Sequence, residues 1–200
     1  DGMDRLEAAL AACDARPVRV IATTAIAGVH DVRTPAGPAV LKLYHRGHSG
    51  NEAGGVALMR AWAGSGAVVR IHVSAPDWVL MERLDGPLLG DLARAGQLEA
   101  ADNTLAALAQ RLHACPVPGD LPLARVADWF GALFALRCAP DCPAQLCHNL
   151  QRAGEAAREL LGRGLPEMAL HGDLHHDNVV GGIAIDAKGV RGPSGFELAN

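Results

Sequence analysis

Short β-favouring runs broken by turn residues fill the chain from Val18 to Met81, whereas beyond Leu88 the apolar positions recur at helical spacing. Before both, residues 5–15 are rich in Ala and Leu, with Leu6 and Leu10 four apart, and predict a short helix closed by Pro17. Val18, Val20 and Ile21, then Val29 to Val32, then Ala39 to Tyr44 read as strands separated by Ala27-Gly28 and Pro35-Ala36-Gly37-Pro38, the pattern of an antiparallel meander. Ala67 to Val73 and Trp78 to Met81 add two strands around the turn Ser74 to Asp77. Between these sets, Val56, Met59 and Trp62 stand near helical spacing and predict a helix over 51–63 with Glu52 in its first turn. Gly54 and Gly55 each weaken that helix by about 1 kcal/mol relative to Ala, so it requires tertiary support.

Strand patterning ends at Glu82 to Gly86, where a charge pair and Asp85-Gly86-Pro87 read as a linker. Leu98, Ala101, Leu105, Leu108 and Leu112 then form one apolar stripe ended by Pro116. Further helices are predicted over 124–136, which carries Trp129, Phe130, Leu133 and Phe134, and over 146–161, which carries Leu150, Leu160 and Leu161. His113 and His148 fall on helical segments and read as partly buried structural residues.

Two polar features interrupt this apolar plan. Lys42 sits inside the strand Val40-Leu41-Lys42-Leu43-Tyr44, sharing a face with Val40 and Tyr44 and opposing Leu41 and Leu43. A lysine so placed either lies on an exposed sheet face or is directed at a ligand. The second feature is residues 169–186, A-L-H-G-D-L-H-H-D-N-V-V-G-G-I-A-I-D, in which His171 to Asn178 is polar apart from Gly172 and Leu174 and is bracketed by Ala169-Leu170 and Val179-Val180. That is the placement of a catalytic loop on a rigid scaffold. Asp173 stands five residues before Asn178, the H-x-D-x-x-x-x-N spacing of a kinase catalytic loop, and Asp186 follows the run Ile183-Ala184-Ile185. Phosphoryl transfer uses one carboxylate to orient the attacking hydroxyl, and an amide oxygen with a second carboxylate to hold magnesium against the nucleotide.

The segment His171 to Asn178 resembles the signature of the aminoglycoside phosphotransferase family, relatives of protein kinases. Ile185-Asp186-Ala187-Lys188-Gly189, followed by Gly195 to Asn200, resembles most its streptomycin 6-kinase and hydroxyurea phosphotransferase branch. The resemblance implies a two-lobed, protein-kinase-like α+β fold. Residues 1–82 form an N-lobe of antiparallel sheet and one helix, 83–86 a hinge, and 87–200 a mainly helical C-lobe truncated at the C-terminus. ATP and Mg²⁺ are the implied cofactors, and a cationic aminoglycoside such as streptomycin is the implied hydroxyl acceptor, inactivated by phosphorylation. Carried onto this chain, Asp173 is the catalytic base, Asn178 and Asp186 are the metal ligands, and His171 holds the loop. Lys42 contacts the α/β-phosphates with Glu52 as its partner. Gly28 belongs to a phosphate-covering loop over Thr23 to Val29, though the full G-x-G-x-x-G is absent, and Glu82 and Leu84 flank the hinge backbone that holds the adenine edge. His176 and Asp177 are expected to contact the acceptor.

Composition narrows the alternatives. A net charge of -4 argues against nucleic-acid and anionic-membrane partners and suits a polycationic small substrate. Aromatics at 4% leave few platforms for stacking bases. No G-x-x-x-x-G-K-[ST] occurs, which disfavours a Walker-type NTPase. With no signal-peptide pattern at Asp1-Gly2-Met3-Asp4 and no long apolar run, a cytoplasmic protein is expected. Its five cysteines then read as reduced thiols. Cys138, Cys142, Cys147 and His148 raise a zinc reading, but C-x3-C-x4-C-H lacks paired C-x2-C knuckles, and small buried hydrophobes on neighbouring helical turns are expected instead. A metal-dependent hydrolase built on His175 or His176, and a kinase fold that binds nucleotide without turnover, are the competing readings of the central loop.

One geometric conflict is visible in advance. A two-residue Gly181-Gly182 turn would pair Asn178 with Ile185 and Asp177 with Asp186, sending the two presumed metal ligands to opposite faces. Either a three-residue turn from Gly181 to Ile183 or residues missing from the sequence between Val180 and Ile183 would restore the parity, and the second is favoured.

Overall fold

Five antiparallel strands make the first sheet, in the order β1-β2-β3-β5-β4. They are β1 (Arg16–Thr23), β2 (Ala27–Thr34), β3 (Gly37–Tyr44), β4 (Ile71–Ala75) and β5 (Trp78–Glu82). The computed structural model describes residues 2–198; Asp1 and the pair Ala199-Asn200 that ends the Gly195 to Asn200 segment lie outside it. Helix α1 (Gly2–Ala12) stops earlier than the sequence suggests, because Asp14 turns the chain with a left-handed φ of 48°. Pro17 consequently lies in β1, an exposed edge strand where a missing N–H is tolerated.

Period-2 alternation along β3 divides two cores. Ala39, Leu41 and Leu43 pack with Val32, Trp78 and Leu80 against Ala9 and Leu10 of α1. Tyr44 on the opposite face joins Val79, Met81 and the residues Leu58, Met59 and Trp62 at helix α2 (Ala53–Ala61). Each such fully buried side chain contributes roughly 1.5–3 kcal/mol of transfer free energy. A 3-10 turn, Gly50–Glu52, leads into α2 and buries Glu52 on the Lys42 face.

Gly54 and Gly55 have a packing reason. The backbone of residues 187–189 crosses α2 so closely that a Cβ on Gly55 would overlap the Ala187 carbonyl, and one on Gly54 would stand 2.9 Å from the Gly189 oxygen. This crossing is the tertiary support the helix needs. Gly55→Ala should therefore destabilise the protein by about 1–3 kcal/mol instead of stabilising it as Ala does in an open helix. Denaturant melts check the sign.

Ala67 to Val69 are not the start of β4. Val69 N donates to the Ala184 oxygen and Ala184 N to the Ala67 oxygen, both at 2.9 Å, so this stretch pairs with the second lobe. Its partner is the hairpin β8 (Val179–Val180) and β9 (Ile183–Ala184).

The second lobe contains α3 (Leu89–Arg94), α4 (Leu98–His113), α5 (Val126–Trp129), α6 (Gly131–Ala135) and α7 (Ala144–Gly162). Ala101, Leu108, Ala109 and Leu112 form the buried stripe of α4, while Leu98, at the first helical position, is 55% exposed. The helix predicted over 124–136 is broken: Ala124–Arg125 is strand β6, and a box between Arg125 and Asp128 starts α5. β6 pairs in parallel with β10 (Val190–Pro193), which the sequence reading does not contain, and β10 pairs antiparallel with β7 (Glu167–Leu170). α7 buries only Gly154 and Ala157, and His148 is exposed, not partly buried. Among the described residues no helix is long and apolar enough to cross a membrane.

Candidate active site

A cleft of about 460 Å³ opens between the five-stranded sheet and the β8–β9 hairpin. Ile21, Val29 and Val40 line it from the sheet, Val180 and Ile185 from the hairpin and its exit, and Glu82, Leu84 and Gly86 from the connecting segment. Lys42, Asn178 and Asp186 line the same cleft.

Lys42 is 4% exposed, and its ammonium donates to Glu52 Oε2 at 2.7 Å and lies 3.0 Å from Asp186 Oδ1. Burial opposes its charge, but Asp186 and Glu52 outweigh that and hold its pKa above the usual lysine range. Glu52 is likewise pushed up by burial and pulled down further by Lys42 and Lys188, so it stays ionised. Lys188, unassigned from the sequence, donates to Glu52 Oε1 at 2.6 Å and lies 3.7 Å from Asp173 Oδ2. One buried carboxylate thus bridges two ammonium groups, one facing the cleft and one facing Asp173.

The loop carrying Asp173 is fixed from three sides. His171, fully buried, lies 2.8 Å through Nε2 from the Ile185 carbonyl and accepts the Asp173 N–H at Nδ1 at 3.3 Å. Those bonds define a neutral Nε2–H tautomer that ties the loop to the residue before Asp186. The Lys188 and Gly189 N–H groups donate to the His171 carbonyl at 2.8 and 3.0 Å. Glu197, also fully buried, accepts the His171 and Gly172 N–H groups at 2.7 and 2.8 Å. His113 stands 3.7 Å behind it, supplying a carboxylate neighbour that the sequence did not reveal for that histidine.

Burial lowers the His171 pKa from 6.5 to about 4. Between those values the unfolded chain binds a proton that the folded chain refuses, so stability falls as pH drops through this window and levels off below it. The shift corresponds to on the order of 3 kcal/mol. Burial moves His30 and His113 in the same direction, and they add to the slope. Thermal melts from pH 7 to pH 4 should show this loss, and His171→Gln should flatten it; an unchanged slope would place its origin elsewhere.

The hairpin parity is resolved outside the hairpin. Val180 pairs with Ile183 across a two-residue turn with Gly181 and Gly182 at φ 56° and 79°, so the three-residue turn is set aside. Asn178 belongs to a 3-10 turn, His176–Asn178, and Asp186 adopts a left-handed φ of 59°. Strand alternation therefore stops short of both residues, which line one cleft. Asn178 Nδ2 donates to the Asp173 carbonyl at 2.9 Å and lies 3.1 Å from His175 Nε2, and among the described residues the amide oxygen has no hydrogen-bond donor.

Three expected residues are placed differently. Gly28 lies within β2 beside His30, and because neighbours alternate, Val29 instead faces the cleft. The loop before it is a tight turn in which Thr24 Oγ1 accepts the N–H groups of Ile26 and Ala27. His176 Nε2 lies 2.9 Å from Asp102 on α4, and Asp177 accepts from Arg94 on α3 at 2.9 and 3.2 Å. The Arg94 bonds hold Asp177 below the usual carboxylate range. Both side chains dock the loop onto helices, and Gly90 leaves the room that Asp177 fills.

Comparison with known proteins decides the family. The family model of the aminoglycoside/hydroxyurea antibiotic resistance kinases matches residues 14–200. The chain belongs to this family. A streptomycin 3''-kinase of Klebsiella pneumoniae is 38% identical over 187 residues, covering 89% of this chain and 65% of that protein. This member of the kinase family thus spans about 65% of the length of that relative. Among solved structures it is similar to the amicoumacin kinase hAmiN in complex with AMP-PNP, Ca²⁺ and Ami, at a TM-score of 0.71 and 18% identity over 100% of this chain and 67% of that one. It also resembles a choline/ethanolamine kinase family protein of Mesorhizobium loti, at 0.67 and 16% over 99% and 69%. The fold is two-lobed and kinase-like, with an antiparallel N-terminal sheet and helical second lobe.

Proposed function

We propose that this kinase-family chain transfers the γ-phosphate of ATP to a hydroxyl of a cationic aminoglycoside of the streptomycin class. The observation that carries the reading is the chain of contacts from Lys42 through Glu52 and Lys188 to Asp173, beside an apolar cleft that also holds Asn178 and Asp186. Apolar residues from sheet and hairpin sandwich the base, and the segment from Glu82 to Leu84 offers backbone groups to its edge. Lys42, kept charged by its two carboxylates, contacts the α/β-phosphates. Asp173, outside the cleft lining, orients the acceptor hydroxyl and takes its proton as the loose transition state forms.

The amide oxygen of Asn178 and the Asp186 carboxylate are hard oxygen donors that fit Mg²⁺. When bound there, the ion supplies charge neutralisation of the phosphates. Lys188 stands within reach of charge developing near Asp173. His176 and Asp177, both bound to helices, serve to seat the loop and not to contact the acceptor. The metal-dependent hydrolase reading loses support because His175 accepts the Asp177 N–H at Nδ1 and His176 faces Asp102, so the adjacent rings diverge.

Incubation with ATP·Mg²⁺ and an aminoglycoside panel, followed by mass spectrometry, tests the proposal. One added phosphate on streptomycin is expected, and fragmentation then distinguishes the 6- from the 3''-hydroxyl. Binding of ATP with no phosphorylated product would leave a pseudokinase.

A further inference from the structure

Three cysteines outside the cleft meet at one point. The Sγ atoms of Cys138, Cys142 and Cys147 all lie within 4.8 Å of one another, and none is in a disulfide. They are not buried hydrophobes on successive helical turns: Cys138 is exposed, Cys142 and Cys147 are half-buried, and only Cys147 is helical. The other two lie in the connection between α6 and α7. There Pro140 and Pro143 restrict the backbone, Cys142 N donates to the Ala139 oxygen at 3.0 Å, and Cys147 N donates to the Pro143 oxygen at 3.1 Å. The loop folds back over the first turn of α7 and brings all three sulfurs together.

Hydrophobic burial does not account for this convergence. α6 buries no residue, and α7 buries only Gly154 and Ala157, so little packing holds this corner. Thiols are weak hydrogen-bonding partners and provide little substitute. We propose that Cys138, Cys142 and Cys147 bind one thiophilic d¹⁰ cation of the Zn²⁺ type, which clamps the α6–α7 connection. Around zinc with Zn–S bonds of about 2.3 Å, tetrahedral geometry places sulfurs roughly 3.8 Å apart, so the cluster needs to contract by no more than about 1 Å. Three thiolates leave one position for water. Each thiol releases its proton to solvent as its sulfur binds.

The test uses reduced protein under anaerobic conditions, titrated with Co²⁺ as a spectroscopic probe and then with Zn²⁺ against a chromophoric chelator. One equivalent of Co²⁺ should give a near-ultraviolet thiolate charge-transfer band with intensity for three sulfurs, and Zn²⁺ should displace it. Cys138→Ser/Cys142→Ser/Cys147→Ser together should weaken Zn²⁺ binding at least 100-fold, while Cys13→Ser/Cys115→Ser should leave it unchanged. To guard against a misfolded triple variant, alkylation of the wild-type protein is followed by peptide mapping, and Zn²⁺ should protect these three thiols selectively. Absence of the band, equal binding by the triple variant or unprotected thiols would overturn the site. So would the appearance of a disulfide among the three as their only reaction, with no metal bound.

Discussion

Asp173→Asn is expected to lower turnover by about 10²-fold or more while leaving nucleotide affinity unchanged. The substitution preserves the shape of the loop. Its anchors are the Asp173 N–H bonded to His171, the Asp173 carbonyl accepting from Asn178, and the Glu197 contacts to His171 and Gly172, and none uses the Asp173 carboxylate. Lys188 keeps Glu52 at 2.6 Å, so the carboxamide leaves no ammonium without a partner. Since Asp173 is not among the cleft-lining residues, ATP binding should be insensitive to it. Steady-state kinetics with a fixed acceptor, combined with equilibrium nucleotide binding, separate the two quantities. Turnover within a few-fold of the parent would show that another group accepts the proton.

A second large effect is expected at Glu52, for a different reason. Glu52→Ala removes the shared acceptor of Lys42 and Lys188, and both ammonium groups are largely buried. Asp186 can still pair with Lys42 at 3.0 Å, but Lys188 keeps only the more distant Asp173. Breaking buried pairs in this way costs about 3–5 kcal/mol, because the remaining charges are desolvated without compensation. Chemical denaturation should show that loss. At temperatures where the variant stays folded, kcat/KM for ATP should fall by about 10-fold or more, since Lys42 is no longer held toward the phosphates. A variant with wild-type stability and wild-type ATP dependence would remove Glu52 from the site.

Local patterns made part of this site readable in advance. Alternation around Lys42 correctly separated the cleft face from the α1 face, and the helical register put Glu52 near enough to reach it. The partners of Lys188 and Glu197 were not readable. Lys188 meets a carboxylate 136 residues away and Glu197 meets backbone amides 25 and 26 residues away, and no periodicity encodes such contacts. Gly28 sits one residue away from the cleft face because strand parity along β2 gives that face to Val29. Parity itself failed at Asn178 and Asp186, where a 3-10 turn and a left-handed residue suspend the alternation it assumes. The helix expected over 124–136 broke because Arg125 pairs with Arg191 in a sheet whose central strand gave no recognisable pattern. Clustering of the cysteines was hidden by a proline-bracketed loop, since knuckle spacing describes a different backbone.

The pairing of Ala67 to Val69 with Ala184 bears on how the molecule can breathe. Those two hydrogen bonds, together with Gly181 N donating to the Pro87 oxygen at 3.0 Å, tie the β8–β9 hairpin to the sheet side of the cleft and to the connecting segment. If the lobes separate to admit nucleotide while these bonds stay closed, the hairpin travels with the sheet, and Asp173 goes with it, because His171 Nε2 holds the Ile185 carbonyl and Asn178 Nδ2 holds the Asp173 carbonyl. The swivel then falls outside the catalytic loop and the hairpin, and the moving body is defined by hydrogen bonding and not by chain order. Hydrogen–deuterium exchange offers a direct view: the amides of Val69, Gly181 and Ala184 should exchange as slowly as the β3–β5 ladder and together with it, while the amide of Asp177, bonded only to a side chain, exchanges on its own faster clock.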